Sequence, residues 1–354
     1  MPFDDEIADN LAAEYAEQPY GRRFQARRKA LARDAMLVVT GQSTLHVDAA
    51  PAVTRRMLWL YSWTTVGDAI MDLAPRDLLP AGVAVELLIA PALAPLFATD
   101  RRFAAVHTDI AACAAETDFV LLDSLRTSSI RLKMTHFPKA FFATMRGHHT
   151  GERFDRVAFA DRRLRQLFRL PTGLVESPRI DLGSDEPPPR GDSRFRVGVA
   201  LGSRVPKKLY PHWGRVLDSL VAGWPSTLPA PEFVLLGQGE SAQAQRGEVE
   251  AATSRLMIRS LVDGGSLRKT AIDLAACDAF LGVDGGLMHV AVAVGTPGLA
   301  LFTRIDPAYF LRPESTMTPL ATAGELAAVE PSEVTAAFLA ALPRLCSNRG
   351  RATG

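Results

Sequence analysis

Ala279-Phe280-Leu281-Gly282-Val283-Asp284-Gly285-Gly286-Leu287-Met288-His289-Val290-Ala291-Val292-Ala293-Val294-Gly295-Thr296-Pro297-Gly298-Leu299-Ala300-Leu301-Phe302 is the stretch that decides the fold. Residues 279–283 are apolar on both faces, the pattern of a strand buried in a parallel sheet. Asp284 is placed to cap a following helix, and Gly285-Gly286 leave the backbone bare where that helix begins. Leu287, Val290, Ala291 and Val294 recur at helical spacing and are expected to face the sheet. Gly295 and Thr296-Pro297 stop the helix, and 298–302 form the next buried strand.

A helix that starts at a strand end offers free N–H groups and the positive end of its dipole, which together attract phosphate. Two glycines let a diphosphate approach the backbone, and His289 in the first turn can donate to the same oxygens. The same residues also suit a plain βαβ turn with a satisfied histidine, and taken alone they do not choose between the two.

The rest of the chain bounds the answer. Its 354 residues suffice for two domains of ordinary size. Charged residues make up 22% and the hydrophobic set 47%, a globular composition. A net charge of +1 provides no global field for nucleic acid. Cys113, Cys277 and Cys346 are widely spaced without a metal-ligand pattern, which fits free thiols in a reducing compartment. The first residues are acidic (Asp4, Asp5, Glu6) rather than a basic-then-apolar leader, and no apolar run has bilayer length. The expectation is a cytoplasmic protein, with room for peripheral docking on the inner membrane.

In chain order, residues 1–35 read as a charged helix and 35–48 as a short hairpin around Gly41-Gln42. Strands are expected at 57–61, 83–89, 104–107 and 118–123, with helices at 68–73 and 91–97 and basic helical material over 126–145. Residues 183–194 read as a proline-rich linker. Strands then follow at 196–201, 232–236 and 256–261, helices at 212–222, 240–253 and 267–276, the opening stretch, and a last helix at 332–346. The expected division is an N-terminal extension (1–55), a Rossmann-like domain (56–182), the linker (183–194), a second Rossmann-like domain (195–330) and a helical tail (331–354). Strands alternating with helices indicate doubly wound α/β sheets, whose ligands bind beyond the carboxyl ends of the strands.

Single motifs are weak. Gly202-Ser203-Arg204-Val205-Pro206-Lys207-Lys208 lacks the second Gly and the hydroxyl residue of a Walker loop, so ATP hydrolysis of that kind is rejected, although a Lys there still neutralises a diphosphate. Gly237-Gln238-Gly239-Glu240 with Asp263 beyond it loosely matches a dinucleotide loop, but it follows the second strand of its domain rather than the first. Asp68 stands at a helix start, where it can cap or act as a general base.

Taken together, the blocks are more specific. Asp284-Gly285-Gly286-Leu287-Met288-His289, then Gly295-Thr296-Pro297, Leu301-Phe302 and Asp306-Pro307, resemble the signature of the bacterial lipopolysaccharide heptosyltransferases, glycosyltransferase family nine. Trp63-Thr64-Thr65-Val66-Gly67-Asp68 is similar to that family's N-terminal Ser-Leu-Gly-Asp loop. Leu201-Gly202-Ser203 through Lys207 to His212-Trp213, Leu236-Gly237-Gln238-Gly239-Glu240, and Asp123-Ser124-Leu125-Arg126-Thr127-Ser128 resemble three further blocks. The resemblance spans about 57–345.

It implies two Rossmann-like domains facing a cleft (the GT-B fold), here with an extra N-terminal segment. It also implies inverting sugar transfer from a nucleotide diphosphate donor, typically ADP-heptose, with no metal and no other cofactor. By resemblance, Asp68 is the base. Lys207, or Lys208 by a one-residue shift, faces the diphosphate. Glu240 holds the ribose and Asp284 the donor sugar. Gly285, Gly286 and His289 hold the phosphates. Gly202, Ser203, Gly239 and Met288 fall in the donor blocks, and Thr64, Thr65, Gly67 and Arg126 in the acceptor blocks. The chain departs from the family at Gly285, where Ser or Thr is usual, and at Trp63-Thr64-Thr65.

The first expectation is therefore heptosyl transfer to a lipopolysaccharide core sugar. A second keeps the chemistry but moves it to a protein or natural-product acceptor, which the N-terminal extension motivates. From other classes, a non-catalytic nucleotide-binding module is disfavoured by the presence of Asp68, Lys207 and Asp284, and an NAD-dependent oxidoreductase rests on the weak dinucleotide match alone.

Overall fold

A computed structural model describes residues 20–124, 126–146, 155–185, 194–252 and 255–348. The expectations for residues 1–19, for 186–193 of the linker and for the last six residues lie outside them. The chain divides into two compact units, one of residues 1–64 and 71–176, the other of 65–70 and 177–354.

In the first unit, β1 (Arg56–Leu60), β2 (Ala84–Leu88), β3 (Ala105–His107), β4 (Phe119–Ser124) and β5 (Phe141–Arg146) form a parallel sheet in the order β3-β2-β1-β4-β5. β4 is buried at every position, as a strand covered on both faces must be. Helices α1 (Tyr20–Val39), α3 (Ala94–Phe97), α4 (Thr127–His136) and α5 (Arg156–Phe168) accompany it, while α2 (Val66–Asp72) falls mostly in the second unit. Leu37 of α1 joins Leu58, Leu60, Val120, Leu122, Ile130 and Phe142 in one core, so the end of the N-terminal helix is built into this unit. Each such buried side chain contributes about 1.5–3 kcal/mol.

The hairpin expected at 35–48 is not there. α1 continues to Val39, Gly41 stops it at φ 70°, and a single 3₁₀ turn (Gln42–Thr44) follows. The β-branched residues that suggested a strand extend a helix already nucleated upstream. His46 then lies against β5, its ring stacked on Phe142 at 4.8 Å, and Val47 N–H donates to Phe142 O at 2.9 Å. The segment thereby covers a sheet edge. Residues 126–145 are likewise not all helical, because β5 occupies the last quarter. Its Phe141-Phe142-Ala143-Thr144-Met145 run is aromatic and β-branched, a strand signal that the neighbouring basic residues obscure.

The second unit holds β6 (Phe195–Ala200), β7 (Pro231–Leu236), β8 (Ile258–Ser260), β9 (Ala279–Val283), β10 (Gly298–Thr303) and β11 (Met317–Thr322), all parallel, in the order β11-β10-β9-β6-β7-β8. Its helices are α6 (Trp213–Ala222), α7 (Glu240–Ala252), α8 (Leu267–Ala275), α9 (Gly286–Ala293) and α10 (Pro331–Asn348). Val334, Phe338, Leu342 and Leu345 of α10 share a core with Val216, Leu217 and Leu220 of α6 and with the strands. β11 has no counterpart among the expected strands. It is a half-exposed edge with Pro319 inside it, where a missing N–H costs least.

Counted within each sheet, both strand orders begin 3-2-1-4-5, the doubly wound arrangement. In such sheets the winding reverses between the first and fourth strands, and a crevice opens beyond their carboxyl ends. Those ends are β1 with β4 in the first unit and β6 with β9 in the second. None of the helices among the described residues is long and apolar enough to cross a membrane.

Candidate functional site

The second crevice is built largely from backbone. After β6 the chain turns at Gly202, whose φ of 79° suits glycine. A Cβ there would lie 2.9 Å from Ala242, so the loop presses against the start of α7. Gly202 N–H donates to Gln245 Oε1 at 2.7 Å and Ser203 N–H to Ser241 Oγ at 3.3 Å. The Gly237–Gly239 loop is held from the other side: Asp263 accepts from Gly239 N–H at 2.8 Å and from Gln243 Nε2 at 2.6 Å. These two bonds keep its carboxyl below the ordinary value. Asp263 is therefore occupied in fixing a loop, which removes the acidic partner that the dinucleotide reading needed. Glu240 is exposed at the first position of α7.

Beyond β9, Asp284 does not cap α9. The helix begins after Gly285, which offers no side-chain cap, and the Asp284 carboxylate accepts from Lys208 Nζ at 2.5 Å. Asp284 is only 3% exposed, and a carboxylate so buried requires a partner cation. The 3₁₀ turn Pro206–Lys208 sends its two lysines different ways: Lys207 is exposed, while Lys208 reaches the buried carboxylate.

On α9 the buried residues are Met288, His289, Val290, Ala291 and Ala293, whereas Leu287 and Val294 are only half-buried. Met288 is fully buried and its N–H is spent on Gly285 O at 3.1 Å, so its side chain belongs to the core. His289 is 6% exposed and stacks edge-on to Phe310 at 5.4 Å.

The turn carrying Asp68 belongs to this second unit, since residues 65–70 cluster with it. A Cβ on Gly67 would fall 2.3 Å from the His289 ring, and one on Gly286 would fall 3.0 Å from Val66 Cβ. Both glycines thus permit a close approach between the start of α2 and the start of α9. Asp68 sits in the first turn of α2, half-exposed, and Thr65 Oγ1 donates to its Oδ2.

The crevice of the first unit is built from side chains instead. Asp123, at the end of β4, accepts from Ser62 Oγ at 2.6 Å and from Ser124 N–H at 2.8 Å. Burial pushes its carboxyl above the ordinary value, and the hydrogen bonds from Ser62 and Ser124 and the charge of Arg126 oppose that. Trp63 lies between two guanidinium groups, with Arg126 Cζ 3.8 Å and Arg156 Cζ 5.8 Å from its ring. Arg156 forks onto Asp72 with both contacts at 2.9 Å, and Tyr61 OH donates to the same carboxylate at 2.9 Å. Thr64 and Arg126 are exposed. Asp72, Asp123 and Arg156 were not singled out as site residues from sequence. The available signal was a carboxylate directly after a wholly apolar strand, as at Asp123.

Residues 183–323 match glycosyltransferase family 9 (heptosyltransferase). No curated protein sequence matches the chain. Among solved structures, a glycosyl transferase family 9 protein from Veillonella parvula is similar with a TM-score of 0.67 at 14% identity, over 84% of this chain and 100% of that one. The ADP-heptose lps heptosyltransferase II of E. coli is similar with a TM-score of 0.64 at 18% identity, over 83% of this chain and 99% of its own. The E. coli heptosyltransferase WaaC with ADP is similar with a TM-score of 0.62 at 14% identity, over 81% and 99% respectively.

Proposed function

We propose that this chain, a glycosyltransferase of family 9 by its match over residues 183–323, moves a heptose from ADP-heptose to a hydroxyl of a lipopolysaccharide core sugar with inversion. The observation that carries the reading is the ion pair of half-buried Lys208 with buried Asp284 beside the uncapped start of α9, with the Asp68 turn packed against that start. Two similar structures, one named for ADP-heptose and the other holding ADP, support the choice of donor.

Each residue then has a task. The N–H groups at the start of α9 and the Lys208 ammonium meet the diphosphate, and His289 borders the same place. Asp284 accepts hydrogen bonds from the sugar hydroxyls. Glu240 is placed to accept from the ribose, and Gly202, Ser203 and Gly239 shape the loops around the nucleotide. Asp68 takes the proton of the acceptor hydroxyl as its oxygen attacks the anomeric carbon. The bond from that carbon to the phosphate oxygen breaks, and the charge growing on ADP falls on donors already aimed at it. Lys208 rather than Lys207 is the phosphate lysine, because the turn points it at the buried carboxylate and leaves Lys207 in solvent. Gly67 allows the close approach, while Thr64, Thr65 and Arg126 line the acceptor side.

Thermal stabilisation by ADP, UDP, GDP and NAD, each alone, tests the donor, since a ligand that binds only the folded state raises the melting temperature. ADP should give the largest rise, and NAD or UDP ahead of ADP would overturn the assignment. Release of ADP from ADP-heptose, dependent on a deacylated lipopolysaccharide core, tests the acceptor. Turnover with a protein or natural-product acceptor and none with the core would replace it.

A further inference from the structure

A second cluster of chemical groups lies in the first unit, on strands that the transfer reaction does not use. Glu86 of β2, His107 at the end of β3 and Cys113 just past the following turn bring a carboxylate oxygen, an imidazole nitrogen and a thiol sulfur within 4.8 Å of one another. The three come from separate segments that the fold draws together. β2 and β3 pair in parallel with Leu88 opposite His107, which sets the imidazole beside Glu86, and His107 Nε2 lies 3.1 Å from Glu86 Oε2. The chain then reverses through a 3₁₀ turn (Ile110–Ala112) capped by Asp109, whose Oδ1 accepts from Ala111 N–H. That turn is fastened to Glu86 itself, because Ala114 N–H donates to Glu86 Oε2 at 3.0 Å.

We propose that Glu86, His107 and Cys113 form a zinc site that clamps the β3 edge of the first sheet. The donor set selects the metal: a thiolate, an imidazole and a carboxylate suit Zn²⁺, whereas Mg²⁺ and Ca²⁺ take oxygen almost exclusively. Bonds of about 2.0–2.3 Å in a tetrahedron require donors roughly 3.3–3.8 Å apart. Glu86 and His107, 3.1 Å apart, need open by only a few tenths of an ångström. Cys113 alone must swing inward, and its present hydrogen bond is only a weak one to Asp109 O at 3.8 Å. Binding displaces the thiol proton to solvent and leaves the fourth position to water, which the partial exposure of Glu86 and His107 admits. The bond from Ala114 N–H to the liganding carboxylate is the kind of outer support that orients a metal ligand. β3 is only three residues long, so a metal joining β2, β3 and the turn would secure the least anchored strand of the sheet.

The test uses the full chain without a histidine tag, dialysed against Zn²⁺ and then against metal-free buffer, with metal counted by mass spectrometry. One Zn²⁺ per chain is expected. Cys113→Ser and His107→Ala should each weaken binding by at least about 100-fold, as loss of a direct ligand should exceed the 10–100-fold seen for outer-shell partners. In the unmodified protein, Co²⁺ should give a thiolate-to-cobalt charge-transfer band and intense tetrahedral ligand-field bands, a readout that does not depend on the variants folding. Zinc held equally well by both variants, or cobalt bound without the thiolate band, would leave only a His107–Glu86 ion pair beside an inert thiol and overturn the proposal.

Discussion

The two sheets share a strand order but finish their crevices in opposite ways. In the first unit the loop after β1 is tied down by side chains: Tyr61 to Asp72, Ser62 to Asp123, and Trp63 between Arg126 and Arg156. In the second unit the loops after β6, β7 and β9 turn on Gly202, Gly237, Gly239, Gly285 and Gly286; Gln245 and Asp263 hold the first two loops through their N–H groups, whereas the start of α9 has no side-chain cap. Side chains fix geometry and backbone exposes N–H groups, so the first crevice suits orienting a reactant and the second suits holding an anion.

Asp68 carries the proton transfer in the proposed reaction, and its loss should have the largest effect. Asp68→Ala is expected to lower kcat for sugar transfer by about 10²–10⁴, the range that general-base catalysis contributes. ADP affinity, measured by titration calorimetry, should stay within about threefold, because the phosphate groups are held by donors other than Asp68. Transfer at the wild-type rate would remove the base from this carboxylate.

Next come the two lysines of the 206–208 turn. Lys208→Ala should weaken ADP about 10–100-fold, in keeping with 1.5–3 kcal/mol for a hydrogen bond to a charged group. It also leaves the buried Asp284 without its cation, so the melting temperature should fall as well. Lys207→Ala, a change in solvent, should leave both measurements nearly unmoved. Equal losses from the two variants would show that the donor-free pairing does not report which lysine meets the phosphate.

That pair also shows how far a sequence can be read. The strand at 279–283, the helix after Gly285 and the stop at Gly295 are local patterns, and they stand in the structure as they read in the chain. Capping is also a local pattern, and for Asp284 it misled, because the true partner lies 76 residues away. Which of two adjacent lysines turns inward depends on one 3₁₀ turn, and composition carries no trace of it. The α1 helix misled in the other direction: Val38, Val39 and Thr40 favour strands by propensity, yet the helix running into them holds two of the three. β5 was hidden by the basic residues around it, and β11 by its proline and its exposed face. Local periodicity survives folding, whereas pairing across the chain and edge placement come from tertiary contacts that no short window contains.

Two aspartates at opposite ends of β4 sharpen the contrast in a pH titration. Burial holds Asp123 above its ordinary value, so the folded chain binds its proton more tightly than the unfolded one, and that contribution to stability is lost as pH rises through the raised pKa. Asp118 is the reverse. Backbone N–H groups of Arg56 and Arg55 hold it below the ordinary 3.8, so its contribution is present above that value and lost as pH falls through the lowered one. Melting temperature should therefore drop less as pH rises from 3.8 through the raised pKa in Asp123→Asn, and drop less as pH falls below 3.8 in Asp118→Asn. The same slope change in both variants would mean that the carboxylates do not sit in the opposed environments their contacts describe.

The smallest expected effect belongs to Gly285, the place where backbone has replaced a side chain most completely. Among the described residues beyond its chain neighbours, a Cβ built there meets only Val283 O within 4 Å, at 3.8 Å, and the extended φ of −174° suits any residue, so Gly285→Ser should be accepted without rearrangement. A serine at this position can cap α9 by accepting from its free N–H groups, which stabilises a helix by only a few tenths of a kcal/mol relative to glycine. The hydroxyl can also donate to a phosphate oxygen, but the N–H it occupies is then withdrawn from that phosphate. The two tendencies oppose each other, so ADP affinity should change by less than about threefold while the melting temperature rises slightly. A tenfold gain in ADP affinity would show that the second crevice, too, relies on a side chain where one is offered. A tenfold loss would show that the bare N–H groups of α9 carry the phosphate alone.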